Sequence, residues 1–99
     1  MSFEEVLKDA VDKVNGAVSA MIIGTDGISV QEYAPEKLVD LAGLSAEASA
    51  MIKDISTAAD NLKLGEAKEF SIISDRCGII MRKIHRDDIL VRQNSVGVQ

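Results

Sequence analysis

Residues Pro35 to Gly65, PEKLVDLAGLSAEASAMIKDISTAADNLKLG, form one helical pattern with no proline inside it and a single interior glycine, Gly43. From Glu36 to Leu62 the pattern predicts a helix roughly 40 Å long at 1.5 Å per residue, at least as long as a domain of this size is wide. Pro35 suits the first helical position, where its missing N–H costs nothing, and Glu36 complements the positive end of the helix. Leu64-Gly65 predicts closure by a glycine cap. Leu41, Leu44, Ala48, Met51, Ile55, Ala58 and Leu62 recur at alternating steps of three and four. A second row, Leu38, Ala42, Ser45, Ser49, Ile52, Ser56 and Ala59, runs beside it. Together the rows span about half the circumference, wider than the stripe a helix needs to lie on one sheet. The remaining face carries Gly43, Ala46 and Ala50 between Asp40, Glu47, Asp54 and Asn61. The expectation is a helix that buries one side on a sheet and keeps a neighbouring side for a second helix. The simpler reading is a single buried helix whose alanines serve propensity alone.

Outward from this helix the chain reads as one short helix and five short strands. Ser2 and Glu5 have capping-box spacing, and Phe3, Val6, Leu7, Ala10, Val11 and Val14 form one stripe ended by Asn15-Gly16. Ala17 to Ile23 is apolar on both faces, which predicts an interior strand. Gly24-Thr25-Asp26-Gly27 supplies a tight turn, because Asp-Gly accepts positive φ. A phosphate-loop reading of these glycines fails, since they lead into a strand and no lysine follows. Ile28 to Tyr33 alternates, Ile28 and Val30 against Ser29 and Gln31, and predicts an edge strand with one wet face.

Beyond the long helix, Ala67 to Ser74 predicts a second edge strand. Lys68, Phe70 and Ile72 lie on one face and Glu69, Ser71 and Ile73 on the other. Asp75-Arg76-Cys77-Gly78 reads as a turn, Ile79 to Ile84 as an interior strand, His85-Arg86-Asp87-Asp88 as a turn and Ile89 to Arg92 as a last interior strand. Three interior strands, two edges and consecutive hairpins predict an α+β fold with a mostly antiparallel five-stranded sheet in the order 2-1-5-4-3. The third strand is then left open beside the long helix.

With 99 residues, 46% of them apolar, the chain is expected to be one domain over 1–99 with an aliphatic core, because it holds only Phe3, Tyr33 and Phe70 as aromatics. A net charge of −5 disfavours nucleic acid and anionic membrane surfaces. Cys77 is the single cysteine, the N-terminus lacks the features of a signal peptide, and no apolar run approaches the ~20 residues that span a bilayer. The expected compartment is the cytoplasm. His85 has no second ligand at metal-binding spacing, and Cys77 has neither a base nor a resolving thiol. Asp26, Asp75, Asp87 and Asp88 are turn formers by position. Arg76, Arg82, Arg86 and Arg92 are four equivalent candidates for acting on a partner's nucleotide, and nothing singles one out. No catalytic residue, cofactor site or metal site is expected, so function is to be sought in binding.

The order of elements, with the strand and turn Val18-Ser19-Ala20-Met21-Ile22-Ile23-Gly24-Thr25-Asp26-Gly27-Ile28-Ser29-Val30 and the ending Asp88-Ile89-Leu90-Val91-Arg92-Gln93-Asn94, resembles the roadblock family of dynein-type light chains and their bacterial relatives. The resemblance covers nearly the whole chain and implies a profilin-like sheet between helices. It implies a homodimer in which third strands pair into a continuous sheet and long helices pack side by side. The matching positions are Leu44, Ala48, Met51 and Ile55 on the helix with Lys68, Phe70 and Ile72 on the strand. Larger bacterial members add a further C-terminal helix, for which the residues after Asn94 leave no room. The function implied is that of a non-enzymatic regulator or scaffold of a small Ras-like GTPase or other NTPase. The alternatives are a small-ligand sensor domain, against which the sparse aromatics count, and a purely architectural light-chain-type subunit.

Overall fold

The computed structural model describes residues 2–36 and 40–95. Its elements are α1 (Phe3–Asp12), β1 (Ala17–Gly24), β2 (Ser29–Tyr33), α2 (Leu41–Asn61), β3 (Glu69–Ile73), β4 (Cys77–Lys83) and β5 (Asp88–Ser95). The strands form one sheet in the order β2-β1-β5-β4-β3, with every neighbouring pair antiparallel. This is the expected fold class and strand order.

The two helices lie on opposite faces. Leu7 and Val11 of α1 close over Ala20 and Ile22 on one face, with Phe3, Tyr33, Ile84 and Leu90 around them. Leu41, Leu44 and Ala48 of α2 close over Met21, Ile23, Ile79, Met81, Ile89 and Val91 on the other. Alternation along β1 therefore serves two cores at once, which is why that strand is apolar throughout. The α1 cap forms as its spacing predicts, with the Glu5 N–H donating to Ser2 Oγ at 3.2 Å.

Helix α2 is shorter than its periodicity suggests. Pro35 and Glu36 form a bend, and the Glu36 N–H still donates to Val18 O at 3.3 Å, which ties this segment back to the sheet. The helix instead starts after Asp40, whose Oδ2 accepts from the Gly43 N–H at 2.8 Å. Leu38, placed in the second row, falls outside the described residues. The 21 helical residues span about 32 Å at the usual rise. That is within the molecular extents of 37 × 31 × 23 Å, so the helix has no surplus length.

The helix end also differs. The residue that closes the helix in the left-handed region is Lys63, with φ of 58°, and Gly65, with φ of 87°, follows two residues beyond the cap. The Leu64 N–H donates to Ala59 O at 2.9 Å and the Lys63 N–H to Asp60 O at 3.1 Å, the paired bonds of a Schellman cap.

Strands β4 and β5 reach further than expected. Cys77 and Gly78 belong to β4, paired with Ser95 and Asn94, so Ser74-Asp75-Arg76 spans that hairpin, and Cys77 is a buried core residue. Strand β5 runs on to Ser95 because Asn94 pairs with Ala17 and the Ser95 N–H donates to Gly16 O at 2.8 Å.

Strand β2 inverts its expected orientation. Ser29, Gln31 and Tyr33 are half-buried, whereas Ile28 and Val30 are 65% and 52% exposed. A register shift between Ile22 and Ile23 places Val30 in a bulge, which lets the strand turn its apolar residues outward. The hairpin before it forms as expected. Gly27 has φ of 86°, and the Ile28 N–H donates to Asp26 Oδ1 at 3.0 Å.

Candidate association surface

Residue types on α2 set how closely each part approaches the sheet. Near its N-terminus the inward positions Ser45 and Ser49 are small, and Ser49 Oγ donates to Thr25 O at 3.1 Å. A Cβ on Gly27 would lie 3.2 Å from Ser49 Cβ, so the hairpin tip packs directly on the helix. Further along, Ile52, Ile55 and Ser56 face Lys68 and Phe70 across a narrow, shallow groove, with Met81 and Ile89 in its wall. The groove runs beside β3, the outermost strand at this end of the sheet.

Hydrogen-bond parity defines what β3 leaves free. The Lys83 N–H donates to Lys68 O and the Ser74 N–H to Cys77 O, so the even-numbered residues 68 to 74 turn their backbone groups toward β4. Glu69, Ser71 and Ile73 consequently turn theirs outward. On the same strand Ile72 is 40% and Ile73 76% exposed. Ile72 lies on the α2 face and Ile73 on the other, beside Glu69 and Ser71. Helix α1 covers β1, β2 and a margin of β5, and the surface bounded by Glu69, Ser71, Ile80, Arg82 and Arg92 is left open.

Of the residues expected at an interface, Ile55, Lys68 and Phe70 are brought together in the groove, and Ile72 lies next along the strand. Met51 is half-buried at the margin of the core. Leu44 and Ala48 are 9% and 0% exposed against the sheet, so they hold α2 in place from beneath and offer little surface to a partner. The outward face of the helix is carried by Gly43, Ala46, Glu47, Ala50 and Asp54, all exposed. Ile52 and Ser56, which line the groove, stood in the second row of the sequence pattern, and their position beside Ile55 was the available signal.

Charges around the groove are paired lightly. Lys83 Nζ lies 3.0 Å from Glu66 Oε1, and this hydrogen bond and charge hold the Glu66 carboxyl below its ordinary pKa. Arg82 and Glu69 are 3.9 Å apart on the open face. On the α1 side, Tyr33 donates to Asp12 Oδ1 at 3.2 Å, and its pKa is raised by desolvation first and by the Asp12 carboxylate second. His85 rests against Phe3, with ring centroids 6.3 Å apart. Arg92 Nε donates to Asn94 Oδ1 at 3.0 Å, while Arg76, Arg82 and Arg86 are exposed on separate parts of the surface. Among the described residues no three His, Cys, Asp or Glu side chains converge to hold a metal ion, and no helix is long and apolar enough to cross a membrane.

Fold and groove define a small α+β module whose free hydrogen-bonding groups and apolar side chains gather along one sheet edge and the adjoining helix. No family model and no curated protein matches the chain. Among solved structures, MglC from Myxococcus xanthus is 31% identical over all of this chain and 84% of its own, with a TM-score of 0.64. A Roadblock/LC7 domain from Streptomyces avermitilis superposes with a TM-score of 0.84 at 14% identity, over the whole of this chain and 82% of that one. The gliding protein MglB from Thermus thermophilus gives 0.82 at 19% identity, over 93% of this chain and 70% of its own. A further MglB structure is described as a tetrameric arrangement. The chain belongs to the roadblock family.

Proposed function

We propose that this chain is a homodimeric regulator or scaffold of a small Ras-like GTPase or other NTPase, with no active site of its own. The observation that carries the self-association half is the β3 edge: three residues turn unpaired backbone groups outward beside an apolar groove. Two copies pairing antiparallel about Ser71 would set Glu69 opposite Ile73, which opposes no like charges. Lys68, Phe70, Ile72, Met51 and Ile55 would then border the seam, and the small outward residues of α2 would let two helices approach. Leu44 and Ala48 act as the support beneath. The tetrameric arrangement described for one MglB supports reading the chain as self-associating.

The regulatory half rests on family membership and on the surface chemistry. A dimer of this kind acts by contact, biasing the switch segments or the location of a bound NTPase. Its test is nucleotide exchange and hydrolysis by each GTPase encoded near this chain, with and without the purified protein. A change in either rate, or a saturable complex, is expected with one of them, and no effect on any would refute the reading. The sensor alternative fares worse. The groove encloses only about 10 Å³, far below the ~300–1,000 Å³ of ordinary ligand sites, and its walls bring only Ser56, Lys68, Arg82 and Lys83 as side-chain polar groups.

A further inference from the structure

The exposed apolar residues fall into groups, and one of them lies away from the proposed dimer seam. Ile72 and Ile73 belong to the β3 edge, whereas Val30 belongs to β2, at the far end of the strand order, and Ile28 immediately precedes that strand. Strand β2 holds Ser29 and Gln31 half-buried, while its Val30 and the preceding Ile28 are turned to water. Local pattern and burial disagree here, and such conflicts mark surfaces kept for a purpose other than folding.

Ile28 and Val30 share one open concavity with Thr25, Asp26, Asp87 and Asp88. The two hairpins that build it are tied together by the Thr25 N–H donating to Asp87 O at 3.1 Å. Among the described residues no lysine or arginine lies within ion-pair distance of Asp26, Asp87 or Asp88. These carboxylates do not converge in a metal-binding geometry, so they form an acidic rim around an aliphatic floor.

We propose that this concavity is a second docking surface, which takes a cationic and aliphatic segment of another protein: a lysine or arginine against Asp87 and Asp88, with a neighbouring aliphatic side chain on Ile28 and Val30. A second copy of this chain is the poorer occupant. Its net charge of −5 opposes approach to an acidic rim, and the bulge opposite Ile22 and Ile23 turns the β2 edge away from flat strand pairing.

The probe is a capped hexapeptide of alternating lysine and valine, with glutamate-valine and lysine-glycine hexapeptides beside it, followed by amide chemical shifts of the full chain. The lysine-valine peptide is expected to bind saturably, with shifts confined to residues 24–30 and 87–88, and to weaken severalfold as salt rises from low to high. Asp87→Asn with Asp88→Asn, and separately Ile28→Ser with Val30→Thr, are each expected to weaken it about tenfold. Both variants should keep the melting temperature and the solution mass of the wild type. Equal binding of all three peptides, absence of lysine-valine binding, or shifts centred on β3 would overturn the proposal. So would a fall in solution mass with Ile28→Ser and Val30→Thr, which would assign the face to a second copy. None of these outcomes depends on whether the β3 edge mediates dimerisation.

Discussion

At the scale of single residues, Lys63 carries a conformation that a side chain disfavours. Its φ of 58° closes the Schellman cap, and the glycine that the sequence offers for this role, Gly65, comes two residues later with φ of 87°. Lys63→Gly is expected to stabilise the chain by about 0.5–1 kcal/mol, the left-handed penalty less glycine's greater unfolded-state entropy. A thermal melt reads this directly. Glu66 makes a second prediction. Its folded pKa lies below the unfolded value, so its contribution is fully present above the ordinary carboxylate range and is lost as pH falls through the folded pKa. Lys83→Met should return the Glu66 titration, followed by NMR, toward the ordinary glutamate value. The stability gap between variant and wild type should then narrow on acidification.

At the scale of elements, helix α2 rests on its start and on the close contact with the first hairpin. Asp40→Ala removes the side chain that accepts from the Gly43 N–H, and about 1 kcal/mol of stability should go with it, a fall in Tm of about 4–8 °C. Gly27→Ala brings a Cβ to 3.2 Å from Ser49 Cβ at a positive φ, and should cost about 1–2 kcal/mol. Much of this level was legible in the sequence. The two-faced apolar run of β1, the Ser2 cap, the Asp26-Gly27 turn and the placing of β2 and β3 at the edges all follow from pattern alone, because burial on one or both faces leaves a distinct period. What pattern missed has physical causes. Pro35 suits a helix start by its chemistry, yet α2 begins after Asp40, and the Glu36 N–H is bound to Val18 O instead, a tertiary bond that helical periodicity does not report. Cys77 and Gly78 read as a turn because small and apolar residues occur in both settings, and their pairing with β5 makes them strand. Ile28 and Val30 misled in the opposite way, since alternation reports that two faces differ but not which of them is wet.

At the scale of the whole molecule, an open strand edge runs beside the groove and the helix that lines it. Width of the apolar arc on α2, rather than helix length, is what survives of the sequence argument for association. Part of that arc is spent on the sheet, where Leu44 and Ala48 are covered, and the portion near Ile55 reaches the groove. The candidate site was thus legible by element and only partly by residue, because helical periodicity groups positions on one face without saying which of them the chain's own sheet will claim. Light scattering on the purified chain at micromolar concentration, run beside Ser71→Pro, tests this centre most directly. Residue 71 turns its backbone N–H outward, so proline there removes a donor from the open edge and leaves the β3–β4 bonds in place. Twice the 10.6 kDa chain mass is expected for the wild type, and a folded single-chain mass for Ser71→Pro. A wild type that scatters as a monomer, or a Ser71→Pro variant that keeps the dimer mass, would contradict pairing through the β3 edge.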